Sequence, residues 1–498
     1  MVAFIGIDLG TTFSAVSTID DTGRPVIVHN PNGQNITPSC VTENNGVFEV
    51  GEYARRTWGN APGKAAARFK REMGTSATYS INERSFTPTE LSALVIKKLV
   101  KDASDIIGPI GQAVVTIPAN FSNEAREATL TAAKSAGLDI KYIINEPTAA
   151  ALYYAFKNED EFHGNYAVYD LGGGTFDISI IHVSGQNVEV LASNGISKLG
   201  GDDFDEVLVK IVSRKYKEIT GEEMEPDDFT KNDAEEEKKS LSQRKRSTVK
   251  VGRHLVDISR EEFEEAISSR VAQAEMLCES TLDEAGIDPS EIRSVLLSGG
   301  STRIPIVRES IRRAFKKEPI ATVNVDEVVA LGAALYAAYK GDQSNLTAAQ
   351  RNSIQKIKVS ESTSKCFGII SLGHDKTREK EKLINSILIK KGEKIPCSVT
   401  ESFYTTHDGQ TKVACQLTES TAPENDPRFV KIIWEGNLDL PSGRPAHQEI
   451  RVTFTYDENQ IMRSSFVDVA TGLKTEIDIS MASSSDSDDQ GINKFLVE

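Results

Sequence analysis

Asp8-Leu9-Gly10-Thr11-Thr12 and Asp170-Leu171-Gly172-Gly173-Gly174-Thr175 are two versions of one device, and their reading decides the fold. Each is a small-residue turn that opens on an aspartate. The first lies between β-type runs at 2–7 and 13–19, the second between YAVYD and TFDISIIHV in the stretch 166–183. A glycine-tipped hairpin exposes successive backbone N–H groups, and threonine hydroxyls add further donors. Two such tips facing each other can grip a polyphosphate from both sides. The carboxylates beside them, Asp8 and Asp170, suit a Mg²⁺ ion held through its retained waters, because magnesium sheds its hydration reluctantly. The chain has no GxxxxGK[ST] run and no strand-GxGxxG-helix unit, so the two commoner phosphate cradles lose their main support.

Outward from the two turns, the pattern repeats as strands followed by helices, which is the signature of an α/β fold. Between the turns lie helical patterns at 88–107 and 123–136, a strand at 113–117, and a helix after Glu146-Pro147-Thr148. Beyond the second turn, 203–242 reads as helical and acidic, 261–285 as a long amphipathic helix, and 295–297 as an apolar strand that leads into Ser298-Gly299-Gly300-Ser301. A helix at 328–339 carries Gly332, Ala333 and Ala334, where a neighbouring element can approach closely. Composition then changes. Residues 341–359 read as a polar linker, and 360–480 alternate in short β runs that predict an antiparallel β-sandwich. Residues 481–498 are rich in Ser and Asp and read as a disordered acidic tail, with Phe495-Leu496-Val497 as a candidate docking motif inside it.

A chain of 498 residues needs several hydrophobic cores, and 39% hydrophobic with 26% charged residues is ordinary for a globular protein. The net charge of −16 opposes general binding to nucleic acid, so any nucleotide must be held locally. The five cysteines are spread without CxxC spacing and read as buried, reduced thiols. An aspartate at position 8 with no basic run before it excludes a signal peptide, and no stretch approaches the roughly 18 apolar residues that span a bilayer. The expectation is a cytoplasmic protein with no membrane partner.

GIDLGTTFSAV, VVTIPANFS, INEPTAAAL, DLGGGTFDISI, LGGDDFD and SGGSTRIP, in this order, resemble the heat-shock protein 70, or DnaK, chaperone family. The likeness covers residues 1–340 closely and 357–480 loosely. It implies an actin-like, duplicated ribonuclease H-like ATPase domain at 1–340, with lobes at about 1–160 and 161–340, followed by the β-sandwich as a peptide-binding domain. It also implies in-line attack of water on the γ-phosphate of ATP, with ADP and Mg²⁺ as the other ligands of the site.

By that resemblance Lys70 orients the water and neutralises developing charge, Thr175 touches the γ-phosphate, and Glu146, Asp8 and Asp170 surround the metal. Gly10, Thr11, Thr12, Phe13, Gly172, Gly173 and Gly174 cradle phosphate, and Gly200 and Gly201 belong to the same cofactor-binding set. Glu235, Lys238, Lys239 and Ser242 clasp ribose and base, and Gly299, Gly300, Ser301, Arg303 and Asp326 form the facing wall. Pro118 and Arg126 stand at positions that relay nucleotide state between domains. Leu372, Thr406 and Val413 fall near a peptide pocket, with Phe403 beneath it.

Several departures qualify the likeness. Lys239 replaces a stacking arginine and Phe13 a tyrosine, and the run Ile354-Gln355-Lys356-Ile357-Lys358-Val359 is more polar than the family linker. The segment 419–447 carries Pro423, Pro427, Pro441 and Pro445 and is unlike the usual sandwich, and no helical lid follows. The missing lid, together with a compact loop between Lys70 and Phe86, is similar to the short HscC-like branch. The partners implied are an unfolded or specific client polypeptide, a J-domain co-chaperone and a nucleotide exchange factor. Two rival readings remain at this stage: a nucleotide-holding scaffold with little hydrolysis, and a sugar kinase or filament-forming actin relative. The latter pair shares the hairpins but is disfavoured by the β-rich second half.

Overall fold

The chain, seen in a computed structural model, is described at residues 3–478 and 495–497 apart from 62, 139, 141, 159–162, 321–323 and 376–379. It divides into two units: Met1–Val359 with Asp489–Glu498, and Ser360–Asp488.

The first unit is built on two sheets with the same strand order. In one, the strands run Tyr142–Asn145, Ile110–Ile117, Ala3–Asp8, Phe13–Ile19, Pro25–Val28. In the other they run Pro319–Ile320, Ile292–Ser298, His163–Leu171, Phe176–Ser184, Asn187–Ile196, with Lys358–Ser360 added at the edge. Each hairpin is antiparallel, and the strand on its other side is parallel to it. Asp8 pairs with Ala15 in the first hairpin and Asp170 with Asp177 in the second, so the two aspartates occupy equivalent places at the ends of equivalent strands.

The helix that follows the parallel strands in each half is rich in alanine, and the two pack against each other. Glu146–Lys157 and Val328–Lys340 are apolar nearly all round, as a helix with no solvent face must be. Small side chains let the backbones meet: a Cβ at Gly332 would collide with the Ala149 carbonyl, and one at Gly6 with the Ala334 amide. The shared core includes Val114, Ile144, Leu152, Tyr154, Val168 and Leu335.

Other elements follow local chemistry. Pro88–Ile107 opens on a Thr87–Glu90 capping box with proline in its first turn. The acidic stretch 203–242 forms two helices, Gly201–Thr220 and Lys231–Gln243, separated where Gly221 takes a left-handed φ of 77°. A hairpin of Arg246–Val251 and His254–Ser259, not anticipated from the pattern, follows them.

The expected linker at 341–359 is corrected. These residues fold onto the first unit, with a helix at Ala348–Ile354 and a strand at Lys358–Ser360. Ile354 and Ile357 are buried in its core and Val359 packs against it, so the alternation of apolar and polar residues is a docked seam with one side in and one side out. The disordered tail is corrected in part. Residues 481–494 lie outside the described residues, whereas Leu496–Val497 is a strand paired with Val47–Val50. Of the five thiols, Cys40, Cys278, Cys366 and Cys415 are buried, but Cys397 is only partly so.

The second unit holds two four-stranded antiparallel sheets. One runs Lys380–Ile389, Cys366–Asp375, Lys412–Ser420, Lys431–Asp439, and the other Cys397–Tyr404, Glu449–Tyr456, Met462–Asp468, Lys474–Asp478. Alternate residues Ile450, Val452, Phe454 and Tyr456 point inward and meet Phe367, Leu417 and Leu438. The proline-rich stretch 419–447 contains the strand Lys431–Asp439. In the loop after it Arg444 Nη2 reaches the fully buried Asp468 at 3.0 Å.

Gly332→Val is expected to destabilise the first unit by about 3 kcal/mol, because overpacking here meets backbone and not a movable side chain. Thermal unfolding of wild type and variant checks this, and an unchanged midpoint would show that the two helices can move apart freely.

Candidate functional site

The two hairpin tips face each other. A Cβ at Gly173 would strike Thr12 Oγ1, and one at Gly174 would lie 2.8 Å from Thr11 Cγ2, so only glycine lets the second tip come this close to the first. The first tip is pinned from behind: Ser39 Oγ donates to the Gly10 carbonyl at 2.8 Å, and Gly10 N–H donates to Ser14 Oγ at 3.2 Å. The second closes through Gly172 N–H to the Thr175 carbonyl at 3.1 Å. Gly201 and Asp202 N–H, at the start of the Gly201–Thr220 helix, donate to the Gly172 and Gly173 carbonyls at 2.9 and 2.7 Å. Gly200 packs against the same tip. Thr12 Oγ1 is buried and has no hydrogen-bond partner, which leaves a donor aimed into the space between the tips.

Behind the tips four carboxyl groups converge. Asp8 and Asp170 end equivalent strands, Glu146 opens its helix, and Asp177 faces Asp170 across the second hairpin. Like charges directly opposite on neighbouring strands repel, and burial strengthens the effect. Burial, reinforced by Glu146, pushes the Asp8 carboxyl up to about 7 despite Lys70 and a 3.0 Å hydrogen bond from Thr116. Asp177 is likewise pushed up to about 7, first by burial and then by Glu146. Asp170 is raised well above the usual carboxylate range by burial and by its acidic neighbours, although Ser298 Oγ donates to it at 2.9 Å.

One lysine answers this cluster. Lys70 is buried, its ammonium bonds Glu146 Oε1, and it lies 5.8 Å from the Phe121 ring centroid. It sits on a short helical turn, Phe69–Glu72, entered through Arg68 in a left-handed conformation with φ of 61°. A lysine, a residue type almost always found at the surface, is thus turned inward by its backbone.

Sequence reasoning missed Asp177, because a single acid inside an apolar strand carries no local signal. It also missed three arginines that join the walls of the cleft. Arg55 Nη2 meets Glu235 at 3.1 Å, Arg68 Nε meets Asp202 at 2.6 Å, and Arg71 Nη2 meets Asp203 at 3.1 Å. The clustering of RRTW and RFKR opposite GGDDFD and AEEEKK was the available signal.

The remaining expected residues divide by place. Glu235, Lys238 and Lys239 lie on one helix; Lys238 Nζ bonds the Gly201 carbonyl at 2.8 Å and Asp205 at 2.7 Å, and Lys239 Nζ bonds Glu235 at 2.9 Å. The Phe13 ring lies 5.3 Å from the Arg55 guanidinium and 5.9 Å from Lys239 Nζ, so it links both walls. Ser242 Oγ is turned to the Lys238 carbonyl at 2.8 Å. Ser301 Oγ donates to the Gly172 carbonyl at 2.9 Å, and Arg303 pairs with Asp326 at 2.8 Å beside Gly299 and Gly300.

Pro118 begins a turn to Phe121, and the fully buried Arg126 bonds the Ala119 and Phe121 carbonyls at 2.9 and 3.2 Å. In the second unit Leu372 is exposed on its strand beside its register partner Leu383, which was not anticipated. Phe403 and Val413 pack against the sandwich core, while Thr406 is exposed in the loop after Cys397–Tyr404. Phe403 and Val413 thus share a core to which the exposed Leu372 and Thr406 do not belong.

Among the described residues no three His, Cys, Asp or Glu side chains form a direct metal cage. A hydrated Mg²⁺ bridged to phosphate needs none, and an excess of buried carboxyls with raised proton affinity beside an unpartnered Thr12 hydroxyl fits such an ion with its nucleotide. No helix among the described residues is long and apolar enough to cross a membrane.

A family model described as Hsp70 protein matches residues 4–497. The chain belongs to the Hsp70 family, whose members are ATP-dependent chaperones that bind ATP or ADP with Mg²⁺.

A carboxyl whose folded value is raised contributes stability below its ordinary value near 4 and loses it as pH climbs through about 7. The metal- and nucleotide-free protein is therefore expected to lose on the order of 2 kcal/mol of stability in its first unit between pH 5.5 and 8. Asp177→Asn removes one such carboxyl and should flatten that slope. Equal slopes in melting curves of the two proteins would count against a repelling cluster.

Proposed function

We propose that this chain hydrolyses ATP and couples the nucleotide state to the binding and release of extended polypeptide segments. The observation that carries this reading is the pair of facing hairpin tips set over three buried carboxyl groups, the partly buried Asp8 and one buried lysine.

The triphosphate lies between the tips, accepting hydrogen bonds from backbone N–H groups and from the hydroxyls of Thr11, Thr12 and Thr175. Asp8 and Asp170 would hold hydrated Mg²⁺, and Glu146 and Asp177 add acceptors to the same acidic cluster. Bound magnesium supplies the positive charge that the carboxyls repel one another without. Lys70, anchored by Glu146, is placed to orient the attacking water and to neutralise charge as the terminal phosphate leaves. Glu235, Lys238, Lys239 and Arg303 bind the nucleoside end, and nucleotide between the walls competes with the arginine pairs that join them. In this way occupancy can be read by the rest of the unit.

The sandwich suits an extended peptide, which can add backbone hydrogen bonds at a sheet edge and set an apolar side chain into a pocket. Leu372 and Leu383 supply exposed apolar surface on that unit. A J-domain co-chaperone that stimulates hydrolysis and an exchange factor complete the cycle. A location in the cytoplasm and a narrow client list belong to the same proposal.

Lys70→Ala should lower single-turnover hydrolysis about 10²- to 10³-fold, the range found when one preorganised charge-stabilising donor is lost. Nucleotide affinity should change far less. Turnover unaffected by this substitution would mean that the hydrolysis measured comes from a contaminant and that the chain only holds nucleotide.

A further inference from the structure

The strand Val47–Val50 closes one side of a sheet whose order continues through Cys40–Asn44 to Ala65–Ala67. Its outer side is occupied by the end of the same chain. Leu496 pairs with Val47 and Val497 with Phe48, in parallel. The alternation expected of a strand is kept: Leu496 is 70% exposed and Val497 only 6%. Phe495 sets its ring 4.8 Å from Phe48, which is itself 5.5 Å from Phe86. The Arg84 guanidinium lies 5.1 to 5.7 Å from all three rings, Phe495, Phe86 and Phe48.

The backbone of the segment is also held. Lys97 Nζ donates to the Phe495 carbonyl at 2.8 Å and Lys101 Nζ to the Val497 carbonyl at 3.2 Å. Both lysines lie on Pro88–Ile107, one helical turn apart, so they are spaced by about 6 Å along its axis. Carbonyls two residues apart on a strand recur at about 6.6 Å and point the same way. The helix therefore presents two cations at the repeat of an extended peptide. A contact made only by chance would not match aromatic pocket, strand edge and lysine spacing at once.

We propose that the edge of Val47–Val50, with Phe48, Phe86, Arg84, Lys97 and Lys101, is a peptide site on the ATPase unit, separate from the sandwich. Its ligand class is an extended aromatic-aliphatic-aliphatic segment, and its resident occupant is this chain's own Phe495-Leu496-Val497. Such an edge left bare would invite pairing with other strands, and the resident segment seals it. Tethering raises the local concentration of the segment to about the millimolar range, so even a weak site stays filled from within the chain.

The test uses full-length protein and the variant Val497→Asp, which puts a charge where the aliphatic anchor is buried. A labelled peptide of residues 493–498 is titrated into both. The variant should bind it at least 10-fold more tightly than wild type, whose own end competes, and a peptide carrying the same Val497→Asp change should not bind. Amides of Val47–Val50 should exchange hydrogen faster in the variant. Equal peptide binding by the two proteins, or exchange at Val47–Val50 unaltered by the substitution, overturns the proposal. A concentration-dependent dimer that disappears in the variant overturns it in favour of a second copy as the donor of the segment.

Discussion

Asp8, Glu146, Asp170 and Asp177 are brought together behind two glycine tips, with the Lys70 ammonium bonded to Glu146. That arrangement is electrostatically unfavourable by itself. Carboxyls so placed either hold protons, as the upward shifts of Asp8, Asp170 and Asp177 indicate, or take up a cation from solution. Much of the surrounding structure can be understood as what holds the group in place. The strained entry at Arg68 turns Lys70 inward, the seryl contacts of Ser14 and Ser39 stiffen the first tip, and Ser298 and Thr116 fix carboxylate oxygens.

The duplicated sheet order explains why the acids meet. Two copies of one strand arrangement, packed through helices slim enough for backbones to touch, bring the ends of equivalent strands to a common cleft. Any residue at that end in one copy has a counterpart facing it from the other. Asp8 and Asp170 are such a pair, and the glycines at the tips are needed because the copies approach so closely. The three arginine pairs across the cleft then set a resting contact between the walls, partly buried and so less screened than surface pairs. The same closeness accounts for the small side chains along Val328–Lys340: bulk there would part the two copies and with them the acids.

Period-two alternation and glycine turns made the sandwich and both hairpins readable, and the 3.6-residue period marked Pro88–Ile107 and Arg260–Ala285. Polar composition misled at 341–359. A segment that is half apolar reads as a linker unless the surface receiving Ile354 and Ile357 is known, and that surface is made of residues far away in sequence. The same holds for Phe495-Leu496-Val497, whose pocket consists of Phe48, Arg84 and Phe86.

The amino-acid order by itself determined the types of element, the two phosphate-shaped turns, the two-part division and the membership that those motifs imply. These are properties of short windows, where backbone preference and side-chain period act between near neighbours. Only the tertiary structure decided that Asp177 joins the acids, that Lys70 is buried and not exposed, that arginines close the cleft, and that the last residues return to the first unit. Each of these depends on charges and apolar surfaces brought together across large sequence separations, where the energy belongs to the pair and neither partner carries a mark of it alone.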